Sequence, residues 1–366
     1  MTKLHQPQTA QHSFNSINDS SRIEQDLPNP PERFSVAERD LPNPERLAIA
    51  ERVGKPAYVD ADIVIPVYNE REQLADSVLT LMRFLSSPRH SRLLSQSQPS
   101  YFPLYSWNIV IADNASSDDT WPIAVGLARQ YPKFIRAIRI PAKGRGRALK
   151  LAWSESHATV RAYMDVDLST DIRLTDVLVN SILNGGAEVA SGCRLLDESH
   201  VTRSAKREFI SRSYNVLLRA TLGVTFQDAQ CGFKAISAHA AEFLLPRIQD
   251  NEWFFDTELL TLAQTCNLPT YIFPVRWVED AGTTVDIPDT VRKDLEGIKR
   301  MRRTLANLER QESERQSVID TASREMSQKS EAHNISSGVS QDSQWSFRIR
   351  HDLMHHQVPQ HLAVQH

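Results

Sequence analysis

Cysteine is scarce: three in 366 residues. So few, and an odd number, exclude a small disulfide-stapled secreted scaffold and fit a reducing compartment. Long apolar runs are missing as well. No stretch approaches the ~18 residues a membrane-spanning helix requires. The opening MTKLHQPQTAQHSFNS has no continuous apolar segment of the kind a secretory leader carries. Excess positive charge is also absent, since 42 Lys and Arg stand against 45 Asp and Glu for a formal net charge of −3. That balance argues against a general nucleic-acid binder, and no nucleic-acid partner is expected. These absences together predict a cytoplasmic chain without a membrane span.

Glycine and proline are distributed unevenly. Ten of the 12 glycines fall between positions 57 and 306, whereas seven of the 19 prolines crowd into positions 1–56. Residues 1–56 are therefore expected to be a disordered extension. It contains a local duplication, DLPNPPERFSVAER followed by DLPNPERLAIAER. Two copies fall short of the about three that a stacked repeat needs. Residues 307–366 are rich in Ser, Gln and charge and end in His351, His355, His356, His361 and His366. They read as a second disordered tail, with histidine spacings that match no structural zinc pattern.

Between the tails, 57–306 alternates strand-like and helix-like patterns. Ala61–Val67 is a short apolar run suited to a strand buried on both faces. Asn69 is placed to cap the following helix with Glu72 as capping-box partner, and Leu74, Val78, Leu81 and Leu85 form one helical stripe. Further strands are expected at Asn108–Ala112, Ile135–Ile140, Val160–Val166, Val189–Cys193 and Tyr271–Trp277, with helices between them. This alternation predicts an α/β fold: a Rossmann-like, mainly parallel sheet flanked by helices in a single catalytic domain. Ligands of such sheets bind beyond the carboxyl ends of the strands.

Those ends carry Pro66-Val67-Tyr68-Asn69-Glu70, Asp113-Asn114-Ala115-Ser116, Lys143-Gly144-Arg145-Gly146-Arg147 and Asp165-Val166-Asp167. The last is the sharpest. Two aspartates at i and i+2, leaving an apolar strand, can both reach a hard divalent cation, and Mg²⁺ or Mn²⁺ is expected there. Such an ion neutralises charge on a departing diphosphate. Residues 200–222 mix Arg203, Lys206, Arg207, Arg212 and Arg219 with Phe209, Ile210, Leu217 and Leu218. A helix of this kind can rest on an anionic membrane, grip an acceptor phosphate, or simply bury its apolar stripe.

Taken in order, IVIPVYNE, IADNASSDDTW, KGRGRALKLAW, AYMDVDLST, DAQCGFKA and WFFDTELL resemble glycosyltransferase family 2, in particular the branch that loads sugars onto dolichyl or polyprenyl phosphate. The resemblance runs from Ala61 to Met301. It implies a GT-A fold and inverting transfer of a hexose from a UDP- or GDP-sugar donor to a lipid-phosphate acceptor. It also implies a Mg²⁺ or Mn²⁺ cofactor and peripheral contact with the cytoplasmic face of a membrane. Pro66, Tyr68, Asn69 and Glu70 would surround the nucleoside, Asp113 would meet base or ribose, and Lys143 would lie near the nucleotide. Asp165 and Asp167 would hold the metal. Asn114 and Ala115 depart from the family's usual Asp-Asp-Gly-Ser, which leaves the base open. Arg194, Arg207 and Lys234 would face acceptor phosphate. Asp256 or Glu258 is the candidate general base, or else Asp256 caps its helix. The resemblance further suggests that the loop beginning Asp280-Ala281-Gly282 closes over the donor. Cys231 reads as a small packing residue. A soluble or protein-bound hydroxyl acceptor, and a non-catalytic nucleotide-sugar sensor, stand as alternatives.

Overall fold

A computed structural model describes residues 51–87, 105–279 and 287–336. In chain order the elements are β1 (Glu51–Val53), β2 (Ala61–Val67), α1 (Leu74–Ser86), β3 (Trp107–Asn114), α2 (Thr120–Gln130), β4 (Ile135–Ile140), α3 (Arg145–Ser154) and β5 (Val160–Met164). Then follow α4 (Thr175–Leu183), β6 (Val189–Cys193), β7 (His200–Thr202), α5 (Ala205–Leu222), β8 (Phe233–Ser237) and α6 (Ala238–Leu244). The last are α7 (Phe255–Thr265), β9 (Thr270–Pro274), β10 (Arg276–Val278) and α8 (Ile287–Ser336).

Eight strands form one sheet in the order β1-β4-β3-β2-β5-β8-β6-β9. The β4-β3-β2-β5 block is parallel, as is the β6–β9 pair, while β8 runs antiparallel to both its neighbours and β1 antiparallel to β4. Five of the seven residues of β2 are wholly or almost wholly buried apolar side chains, as a strand covered by helices on both faces should be. The α1 stripe Leu74, Val78, Leu81 and Leu85 is buried against this sheet. Leu259, Leu262 and Ala263 of α7 are equally inaccessible. The architecture is the mixed α/β layout that the alternation of patterns predicts.

Several local expectations are corrected. Asn69 does not cap α1: the residue before the helix is Gln73, and no side chain caps it. Asn69 instead sits at φ 57° and accepts the Ser117 N–H at 2.8 Å, while its own N–H donates to Ser116 Oγ at 3.0 Å. It ties the end of β2 to the turn after β3, a partnership 48 residues distant in sequence. The strand expected at Tyr271–Trp277 is two strands, since the chain leaves the main sheet at Val275 and β10 pairs with β7.

The domain limits shift too. β1 lies inside the span assigned to the disordered N-terminal extension. The helix α8 continues to Ser336 through sequence read as tail. Residues 307–336 contain neither Gly nor Pro, and Gln316 bonds Asp320 one turn on at 2.9 Å, so local propensity carries a helix that lacks an apolar stripe. The duplicated segment up to residue 50, the loop at Asp280–Thr284 and the histidine-rich end lie outside the described residues, while the last two residues of the second copy, Glu51 and Arg52, are in β1.

Candidate active site

The carboxyl ends of β2, β3 and β5 adjoin, and the polar motifs converge there. β5 is buried along its whole length. Beyond it Val166 turns back into the core, leaving the aspartates on either side to face outward. Asp167 Oδ1 accepts the Ser169 N–H at 2.9 Å and closes a tight turn in which Leu168 adopts φ 49°. Asp165, Asp167, Ser169, Gly232 and Trp277 line one small cleft. The Asp165 side chain is 43% exposed into it, and the Ser169 hydroxyl is buried without a protein partner. Asp165 lies flat on the backbone of Gly232: a Cβ built there would stand 1.7 Å from Asp165 Oδ2. That close approach is why glycine occupies the centre of the Gln-Cys-Gly-Phe-Lys segment.

Asp165 is also held from the side. Arg145 Nη2 donates to its Oδ1 at 2.9 Å, while Arg145 Nη1 donates to Asp256 Oδ2 at 2.7 Å. The guanidinium lies 4.8 Å from the Tyr163 ring centroid and 5.0 Å from that of Trp253. Asp256 further accepts the Tyr163 hydroxyl at 2.5 Å and pairs with Lys234 at 3.2 Å. Burial alone would raise its carboxyl, but Lys234 and then Arg145 bring it below the ordinary aspartate value. Asp256 is thus an ionised hub with both oxygens engaged, at the first turn of α7.

Lys234 is completely buried and donates to the Cys231 carbonyl at 2.5 Å. It supports the backbone under Asp165 and does not present its charge to an open acceptor surface, which corrects that expectation. Arg194 is likewise engaged, through a bidentate pair with buried Asp228 at 2.8 and 2.9 Å. Burial would raise Asp228, yet the facing Arg194 brings it down to about 2. Arg207, at the start of α5, pairs with Glu279 at 2.6 Å and is partly exposed. Cys231 is wholly buried, and burial pushes its thiol up to about 12, which fits a packing residue and no nucleophile.

On the nucleoside side, Lys143 lies with its Nζ 4.0 Å from the ring centroid of Tyr68, beside exposed Asn69 and half-buried Pro66 and Glu70. The Glu70 N–H donates to Thr120 Oγ1 at 2.8 Å. Asp113 is enclosed, between the Ser116 N–H and Arg139 Nε at 3.2 Å, and burial raises its carboxyl. It organises the turn more directly than it faces a ligand. Asn114 Oδ1 accepts the Gly144 N–H at 2.6 Å, tying β3 to the start of α3. The glycine-rich turn is packed against chain rather than left open as a phosphate cradle. Gly146 N–H donates to the Glu252 carbonyl and Arg147 N–H to that of Asn251, and a Cβ on Gly146 would meet Phe255 Cβ at 2.6 Å.

Nothing in the sequence alone marks Arg145, Tyr163, Trp253 or Ser169 individually. Arg145 lies in a glycine-rich basic turn, and nothing local marks its partner 111 residues away. Glu258, the other candidate base, is also structural: it accepts the Gln249 and Asp250 N–H groups and both arms of Arg300 from α8.

Beside this staple, Asp250, Trp253, Phe254, Lys293, Asp294 and Arg300 line a cavity of about 140 Å³. Burial, then the charge of Asp250, pushes Asp294 up to about 7. The folded protein keeps this proton to near pH 7, whereas an unfolded aspartate loses it near pH ~4. Between those values the unfolded chain binds fewer protons, so stability falls as pH rises through the window and is level above it. Asp294→Asn should therefore leave the melting temperature unchanged at pH 4 and raise it at pH 8, by up to a few kcal/mol in stability. Equal melting shifts at both pH values would contradict this protonation.

A mixed α/β sheet with an outward aspartate pair at its strand ends, backed by the buried Arg145 and Lys234, is consistent with a glycosyltransferase of GT-A type. The chain belongs to glycosyl transferase family 2, whose profile matches residues 62–245. Glycosyltransferase AglD of Haloferax volcanii is 32% identical over 246 residues, which is 67% of this chain but 37% of that protein. The dolichyl-phosphate beta-glucosyltransferase ALG5C of Trichomonas vaginalis is 25% identical over 271 residues, covering 72% of this chain and 77% of the relative. Among solved structures, glucosyl-3-phosphoglycerate synthase from Mycobacterium tuberculosis, with Mn²⁺, UDP-glucose and phosphoglyceric acid, aligns over 66% of this chain and 78% of its own. Its TM-score is 0.44 at 16% identity.

Proposed function

We propose that this glycosyltransferase moves a hexose from a nucleotide sugar to a polyprenyl or dolichyl phosphate, with inversion and with Mg²⁺ or Mn²⁺ as cofactor. The observation that carries the reading is the Asp165–Asp167 cleft, taken with relatives named for dolichyl-phosphate glucosyl transfer. The residues suit a hard divalent cation: two carboxylates and the unpartnered Ser169 hydroxyl supply oxygen, and no third His, Cys, Asp or Glu joins them among the described residues. That is the open, partly substrate-completed set such ions favour. When bound, the ion would stabilise charge on the leaving diphosphate.

Tyr68, Asn69 and Glu70 would border the nucleoside with Lys143 over the Tyr68 ring, and Asp113 and Asn114 would shape that edge from behind. Arg207, partly exposed and paired with Glu279, is the best-placed of the three basic candidates to meet an acceptor phosphate. A lipid phosphate is already ionised near neutrality and needs no strong base, which agrees with Asp256 being occupied as a hub. Among the described residues no helix is long and apolar enough to cross a membrane. The outer face of α5 carries exposed Phe209 and Val216 among Lys206, Arg212 and Arg219, which supports peripheral contact with an anionic surface.

Radiolabelled UDP-glucose and GDP-mannose, each supplied with dolichyl phosphate and Mn²⁺, test the proposal. Label from one donor should partition into the organic phase. Label confined to a water-soluble acceptor in a cell extract would replace the lipid reading with the hydroxyl-acceptor one.

A further inference from the structure

Arg145 grips two carboxylates of unequal character. Asp256 is 2% exposed and has two further partners in Tyr163 and Lys234, whereas Asp165 opens onto the cleft. The contact to Asp256 is also the shorter. A planar guanidinium can bond both at once through separate arms, which an ammonium cannot do in a fixed geometry. With Tyr163 and Trp253 both within cation–π reach, rotation of the fork is restricted.

We infer that Arg145 is the resident counter-cation of Asp165: it occupies this carboxylate in the metal-free protein, yields it to an arriving divalent cation, and remains anchored on Asp256. This rests on the metal reading above. Asp256 then acts as a positioning residue, because its charge is what draws Arg145 away from Asp165 and lowers the competition that the metal meets. Lys234 completes the arrangement by keeping Asp256 compensated when Arg145 shifts its weight.

Two variants should move the metal affinity in opposite directions, which a general loosening of the site would not do. Arg145→Met frees Asp165 while leaving Asp256 with Lys234 and Tyr163. Asp256→Asn leaves Arg145 with Asp165 as its sole carboxylate. Free Mn²⁺ can be counted by electron paramagnetic resonance in titrations with UDP and no sugar donor, at low temperature, with circular dichroism confirming the fold. Arg145→Met should bind Mn²⁺ about fivefold more tightly than the unaltered protein, and Asp256→Asn about fivefold more weakly. Should Asp256→Asn fail to fold, Arg145→Met decides alone. Unchanged or weaker binding by folded Arg145→Met, alongside Mn²⁺ binding by the unaltered protein, overturns this inference only. Absence of Mn²⁺ binding by the unaltered protein overturns the metal reading and this inference with it.

Discussion

Asp167→Asn should lower kcat by about a thousandfold while leaving the melting temperature within a few degrees of the unaltered protein. The two effects separate because the proposed function adds a second duty to the turn-closing one that Asp167 has in the fold. Its Oδ1 closes the turn by accepting the Ser169 N–H, and an asparagine oxygen can accept the same bond. The charge, by contrast, is lost, and with it the carboxylate that the proposed function assigns to the divalent cation. Losing several kcal/mol of charge stabilisation at the diphosphate accounts for the expected factor. Asp167→Ala removes both duties and should lose activity to a similar degree with some added loss of stability. Steady-state turnover with Mn²⁺ and after chelation, together with a melting curve, checks both. Asp167→Asn turning over within about threefold of normal, with its metal dependence intact, would remove Asp167 from the site.

Lys234→Met is expected to act through stability. The ammonium is completely buried, bonded to the Cys231 carbonyl and paired with Asp256. Removing one member of a buried ion pair typically costs about 3–5 kcal/mol. Asp256 keeps Arg145 and Tyr163 as donors, so the lower part of that range applies. The melting temperature should fall by roughly 5–15 °C. Turnover below the transition should fall as well, since the Cys231–Gly232 backbone that Lys234 supports lies directly under Asp165. An unaltered melting temperature with a raised KM for the acceptor alone would instead restore a direct phosphate contact for Lys234.

How much of this was legible in advance depends on the range of the interaction. The bounds of Ala61–Val67, Ile135–Ile140 and Val189–Cys193 are those the sequence suggests: burial on both faces writes a short apolar run into the first, and alternation marks the second. The α1 stripe follows for the same reason at helical period. Asn69 and Glu72 met the formal rule for a capping box, yet the turn at Ser116–Ser117 offered Asn69 a better set of partners. In α8 the reverse holds: a segment without an apolar face reads as tail, although good helix formers and i,i+4 bonds carry it as helix to Ser336.

The sequence by itself determined the α/β alternation, the strand ends at which polar motifs gather, and Asp165 and Asp167 as a pair astride a buried Val166. These are local consequences of periodicity and strand geometry. Only the tertiary structure decided which charges face the cleft and which are consumed inside. Lys234 and Arg194 look, in one dimension, like Arg207; in three, Asp256 and Asp228 claim the first two within the protein interior. Arg145 looked like one basic residue of a glycine-rich turn and emerged between Asp165 and Asp256. The physical reason is that a charge acquires its role from the partner it meets in the fold, and those partners lie 20 to 111 residues away in the chain.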